Sequence, residues 1–181
     1  MKQQFDFQKA IDSVKLILAN MEQHTADFHK VFKILYFAEQ KHLVRFGRNI
    51  TGDRYIAMKN GPVPSGIYDV FKVLKGDCIM KINADVDFSK HFRVVDGYYI
   101  QLIDSVVDLD YFSQSEIECL TESVSENKML DFSTLTRKSH DNAWKHTGEN
   151  DEISVFQMAH AAGANEEMIK YISLSIENAG I

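Results

Sequence analysis

Seven histidines, two cysteines and one glutamate–histidine pair are the groups of this chain whose types and spacing could do chemistry. Metal binding or general acid–base work needs such groups gathered at ligand spacing. His24, His29, His42, His91, His140, His146 and His160 form no H-x-x-x-H or H-E-x-x-H set, and Cys78 and Cys119 stand far apart in the sequence. Phosphate loops, G-x-S-x-G elbows and dinucleotide fingerprints are absent. No metal, cofactor or catalytic residue is expected on this basis. The pair that remains is Glu39 and His42, three residues apart, which a helix places within about 40° and about 20° of Leu35 on its apolar face. A carboxylate and an imidazole at that spacing can touch. Two readings follow: a buried pair that holds helix packing, or the polar lining of a pocket or contact surface with Asp53 and Tyr55 beside it.

The second unusual stretch is "KNGPVPSGIYDV", residues 59 to 70, which holds both prolines, Pro62 and Pro64, between Gly61 and Gly66. Each proline fixes its own φ and drives the preceding residue to extended backbone. Ser65 then offers an N-cap hydroxyl, Ile67, Phe71 and Leu74 recur at helical spacing, and Gly76 supplies a stop. The stretch predicts a stiff strand-to-helix corner.

These groups need elements to position them. Apolar spacing predicts a helix over residues 6 to 21 and a second from about Asp27 to Phe46. The second is apolar nearly all round, so it should be the buried centre of the fold. "RYIAMK" reads as a strand. Asp96-Gly97 between β-rich runs predicts a two-residue type I′ hairpin over 92–103, with "CIMKIN" at 78–83 as a candidate third strand. Ser113 with Glu116 forms a capping box opening a helix to about residue 127, Asp131 caps a short helix through Leu135 to His140, and Asn165 caps a last helix. "SHDNAWKHTGEND" reads as a polar link around the only tryptophan. The expected class is α+β, predominantly α-helical, with about five to six helices around the central one and one small antiparallel sheet, in a single domain over 1–181.

Lys and Arg number 20 against 26 Asp and Glu, a net charge of −6 without a basic run. That balance argues against nucleic-acid binding, which depends on phosphate neutralisation. With no membrane-length apolar stretch and two thiols that read as reduced, the cytoplasm is the expected compartment.

The ordered stretch "KILYFAEQKHLVRFGRNITGDRYIAMKNGPVPSGIYDVF", residues 33 to 71, resembles the signature of the Panacea domain, also described as SocA-like or GepA-like. It has the K-x-L-Y-x-A helix, G-R-x-I-T-G-D, the Y-x-A-M strand and G-P-V-P-S in order. "SHDNAWKHT" is similar to the family's second block. Ile34 stands where Leu is common, and Asp141-Asn142 where an acidic residue and a proline are more familiar. The resemblance implies an antitoxin, many of them prophage-borne, that neutralises a neighbouring gene's toxin by direct binding. One branch also delivers its toxin to the ClpXP protease. It implies a partner-binding surface formed by Glu39, His42, Asp53, Tyr55, Pro62, Pro64, Tyr68 and Trp144. The net negative charge would suit a basic toxin. The alternative is a small-ligand or metal-dependent enzyme with a site around Glu39, His42 and Asp53, and His140 near them.

Overall fold

A computed structural model describes residues 5–77, 87–104 and 106–178. In chain order the elements are α1 (Phe7–Ala19), β1 (Thr25–Asp27), α2 (Phe28–Phe46), β2 (Tyr55–Met58), β3 (Gly61–Pro64), α3 (Ser65–Lys75), β4 (Phe92–Val95), β5 (Tyr99–Leu102), α4 (Gln114–Asn127), α5 (Phe132–Ser139), α6 (Asn142–Lys145), β6 (Glu152–Ile153), α7 (Val155–Ala161) and α8 (Glu166–Asn178). The fold is α+β and predominantly helical.

α2 is the centre. Asp27 caps it by accepting from Lys30 N at 2.8 Å, and Gly47 ends it in the left-handed conformation. Because its apolar residues run all round, α2 is covered on both sides by separate clusters. Val31 and Leu35 pack with Ile11, Phe71, Phe92 and Leu120 from α1, α3, β4 and α4. Tyr36 and Phe37 pack with Tyr55, Leu135, Met158 and Ile172 from β2, α5, α7 and α8.

The structure has two small antiparallel sheets among the described residues where one was expected, ordered β1-β5-β4 and β3-β2-β6. The candidate strand at 78–83 lies outside the described residues; β1 pairs with β5 instead. The hairpin also differs in its turn. Asp96 and Gly97 both have positive φ, as expected, but Val95 pairs with Tyr99, which leaves Tyr98 as a third loop residue. The reason lies at α2, whose first N–H, on Phe28, is bonded to the Tyr98 carbonyl at 2.9 Å.

The proline approach is itself a strand, β3, paired with β2. Ser65 N donates to Arg54 O at 2.8 Å, so the odd-numbered residues of β3 face β2 while Pro62 and Pro64 form the outer edge. Their missing N–H groups would have pointed there. Ser65 is not the cap of α3. The helix begins one residue early, Pro64 takes the cap position and has no side-chain acceptor to offer, and the Asp53 carboxylate accepts from Gly66 N and Ile67 N at 2.8 and 3.0 Å.

Six helices form where apolar spacing and caps predicted them. Two more were not predicted. α6 occupies the polar link, capped by Asp141, which accepts from Trp144 N at 3.1 Å. α7 opens on a capping box between Ser154 and Gln157, an S-x-x-Q signal present in the sequence.

Candidate functional site

The link between α2 and β2 is held by buried acceptors. Glu39 is 1% exposed, and its oxygens accept from Ile50 N at 2.6 Å, Thr51 N at 2.9 Å and Thr51 Oγ1 at 2.6 Å. Burial pushes its carboxyl up, against the pull of these three bonds. His42 Nδ1 lies 2.7 Å from Arg48 O and Nε2 lies 3.0 Å from Ser115 Oγ; burial pushes its imidazole down. The two side chains therefore have other partners than each other. The link folds back over their face of α2 and meets each with its own groups. Asp53, which caps α3, also accepts from Arg54 N at 2.7 Å, and burial pushes it up to about 6 despite its N–H donors. Tyr55 is buried, its hydroxyl has no hydrogen-bond partner, and burial pushes it well above the ordinary tyrosine range.

The corner itself is gripped by its carbonyls. Trp144 Nε1 donates to Met58 O at 2.9 Å, and its indole stacks on His140 with ring centroids 3.6 Å apart. His140 lies against the Lys59 carbonyl and His29 against that of Asn60. Lys33 Nζ donates to Pro62 O at 2.8 Å. Gly61, with φ of +99°, lets the chain pass so close to Lys33 and Ser139. Lys33 and His29 were not among the expected site residues. The signal for Lys33 was there: a lone charge inside "VFKILYF", the most apolar run of α2. Lys33 is 1% exposed, and burial pushes its ammonium down to about 7. His29 is pushed down to about 4, chiefly by burial and next by Lys33.

Beside this clamp lies a groove of about 580 Å³. Phe28, Phe32 and Val63 line it with Lys33, and Tyr68, Tyr98, Tyr99 and Phe132 stand around it. Tyr98 is 68% and Phe132 52% exposed, so the rim is an exposed aromatic face, with Phe132 stacked on His29 at 4.0 Å between centroids. Lys72 and Lys75 lie over the Tyr68 and Tyr98 rings, at 4.8 and 4.9 Å from their centroids. Of the expected partner-binding residues, Tyr68 lines this groove and Pro62 reaches it through Lys33. Glu39, His42, Asp53, Tyr55 and Pro64 stand behind it as supports of the corner. Trp144 faces a separate hollow of about 290 Å³ on the far side of the Met58–Lys59 turn. Among the described residues no group of three or more His, Cys, Asp or Glu is placed to hold a metal, and no helix is long and apolar enough to cross a membrane.

The position of Lys33 gives a direct test. With its native titration near 7 and an ordinary lysine near 10.4, the unfolded chain holds a proton over that interval that the native lysine has released. Raising the pH therefore favours the native state, by about 1.4 kcal/mol per pH unit at most. Lys33→Met removes the titration. The difference in urea stability between wild type and this variant should move in favour of wild type from pH 7 to pH 10; parallel curves would show that Lys33 is not desolvated as described.

No curated protein and no solved structure matches this chain. A family does: the antitoxin SocA-like, Panacea domain, over residues 31–145. That span is more than half of the chain and runs from the first turn of α2 to the end of α6. It contains the supported link, the double-proline strand, Lys33 and the His140–Trp144 stack. The segment that builds the clamp, His29 apart, is thus the segment that the family model matches, and the chain belongs to the SocA-like, Panacea-domain antitoxin family.

Proposed function

We propose that this antitoxin-family chain acts in the cytoplasm by binding a toxin protein, part of which seats in the aromatic groove. The observation that carries the reading is the exposed rim of Tyr98 and Tyr99 from the β4–β5 hairpin and Phe132 from α5, over an apolar trough that the clamped corner borders through Met58 to Asn60 and Val63. Large aromatic side chains on a rigid frame are the usual anchors of protein interfaces. Tyr68 contacts the toxin in this reading. Glu39, His42, Asp53, Tyr55, Pro62, Pro64 and Trp144 serve binding by holding the corner in place. Local charge differs from net charge, since the groove lining carries Lys33 and Lys59 against Asp27 alone, while Lys72 and Lys75 near its rim are paired with Asp69 and Asp77. The toxin's contact segment therefore need not be basic.

Co-expression with the product of a neighbouring gene that arrests growth tests the proposal. Tyr98→Ala with Phe132→Ala should leave the chain folded, with a lowered melting temperature from loss of the Phe132 stack on His29 and the Lys75 contact with Tyr98, and should abolish growth rescue and co-purification. Rescue at wild-type level by the folded double variant would remove the groove from the interface. Toxin abundance separates two modes in the same cells. A toxin that accumulates in complex is neutralised by occupancy, whereas one that disappears only when ClpXP is present is delivered for degradation.

A further inference from the structure

We propose that Lys33 is a carboxylate anchor: the groove takes a partner segment in which an aromatic or aliphatic side chain lies between the walls and a neighbouring acidic group meets the ammonium at the floor. This rests on the reading of the groove as the partner-binding face.

An ammonium has three donors, and that of Lys33 makes one hydrogen bond, to a proline carbonyl, and no ion pair among the described residues. Buried charges in folded proteins are paired, because desolvation is otherwise uncompensated. Lys33 is among the residues that line the groove, at 1% exposure, so a group entering there is the one that can reach it. His29 Nδ1 and His140 Nε2, buried nearby, make no hydrogen bond of ordinary length, although each ring lies against a carbonyl of the corner. The one carboxylate in the groove wall, Asp27, is engaged by the Lys30 N–H of its own helix cap. The chain is acidic overall, yet the lining of this groove carries Lys33 and Lys59 against Asp27 alone. An acidic group from outside completes the set.

The proton accounting follows from the surroundings. The titratable groups facing Lys33 are His29 on α2, His140 after α5, Lys59 in the β2–β3 turn, and Asp27 and Tyr68 on the groove wall. Both imidazoles are held below their ordinary range, so above neutrality they stay uncharged and the ammonium is the group that changes. A bound carboxylate favours the charged amine. Affinity for it should be flat below about pH 7 and fall by about tenfold per pH unit above it.

The probes are two peptides differing at one group, acetyl-Phe-Asp-amide and acetyl-Phe-Asn-amide, titrated into the full chain. Near pH 6.5 the Asp peptide should bind at least about tenfold more tightly, and near pH 8.5 its affinity should fall by up to about thirtyfold, which erases a preference of that size or smaller, while the Asn peptide is unaffected. Lys33→Met should bind the two equally. Equal affinities in wild type near pH 6.5, a preference that survives in Lys33→Met, or binding by neither peptide overturns the anchor. The wild-type pH series needs no variant, so a poorly folded Lys33→Met leaves the test intact. Loss of the Asp preference while toxin rescue still depends on Tyr98 and Phe132 would sink the anchor alone. An intact preference with rescue indifferent to those rings would sink the toxin reading alone.

Discussion

Glu39→Ala is expected to lose about 3 kcal/mol or more of stability in chemical denaturation. The substitution strands two backbone N–H groups, of Ile50 and Thr51, in a place water does not reach, together with the Thr51 hydroxyl. Each buried donor left without a partner costs about 1 to 3 kcal/mol, offset in part because the carboxylate no longer has to be desolvated. Glu39→Gln is the sharper probe. Both carboxylate oxygens accept from a backbone N–H, and an amide turns one of those acceptors into a donor aimed at a donor. Glutamine should therefore rescue little of the loss. A Glu39→Gln protein as stable as wild type would show instead that the native carboxyl is protonated, in line with the upward push of its burial.

Gly61→Ala should cost about 2 to 3 kcal/mol and disturb the groove more than its size suggests. The φ of +99° is a conformation side chains avoid, and an added Cβ would run into Ser139 Oγ and lie 3.0 Å from Lys33 Cε and 3.1 Å from its Nζ. The chain would relieve this by lifting β3 off α2, which parts Lys33 Nζ from Pro62 O. The two contributions can be separated. Adding Ser139→Ala should return the steric part and leave the backbone part, so the double variant should be more stable than Gly61→Ala yet less stable than Ser139→Ala. A double variant no better than Gly61→Ala would mean that backbone conformation accounts for the entire cost.

Local rules in the sequence located most of the frame. The caps at Ser113, Asp131 and Asn165 were readable because capping is decided within one turn. The buried centre was readable because α2 is apolar on every side. What could not be read locally were contacts closed over long separations. Asp53 capping α3 across the β2–β3 hairpin is one, and β1 pairing with β5 is another. The site shows the same division. Glu39, His42 and the prolines stood out by type and spacing, but their partners, the link's N–H groups and hydroxyl for Glu39, Arg48 O and Ser115 for His42, and Lys33 for Pro62, are brought to them only by the fold. Lys33 needed the opposite question: which charge sits where an apolar residue belongs, and what would pair with it.

The outer edge of β3 has a consequence for recognition. Pro62 and Pro64 have no N–H to offer along it, and Lys33 already occupies the Pro62 carbonyl. A strand from another molecule would find no ladder there to extend. Main-chain pairing, the generic adhesive by which sheets recruit one another, is thereby closed off along the β3 side of the groove. Whatever enters must be read by its side chains. That makes discrimination a matter of ring shape and charge, open to partners of any backbone architecture, and spares neighbouring copies from sticking edge to edge as they accumulate.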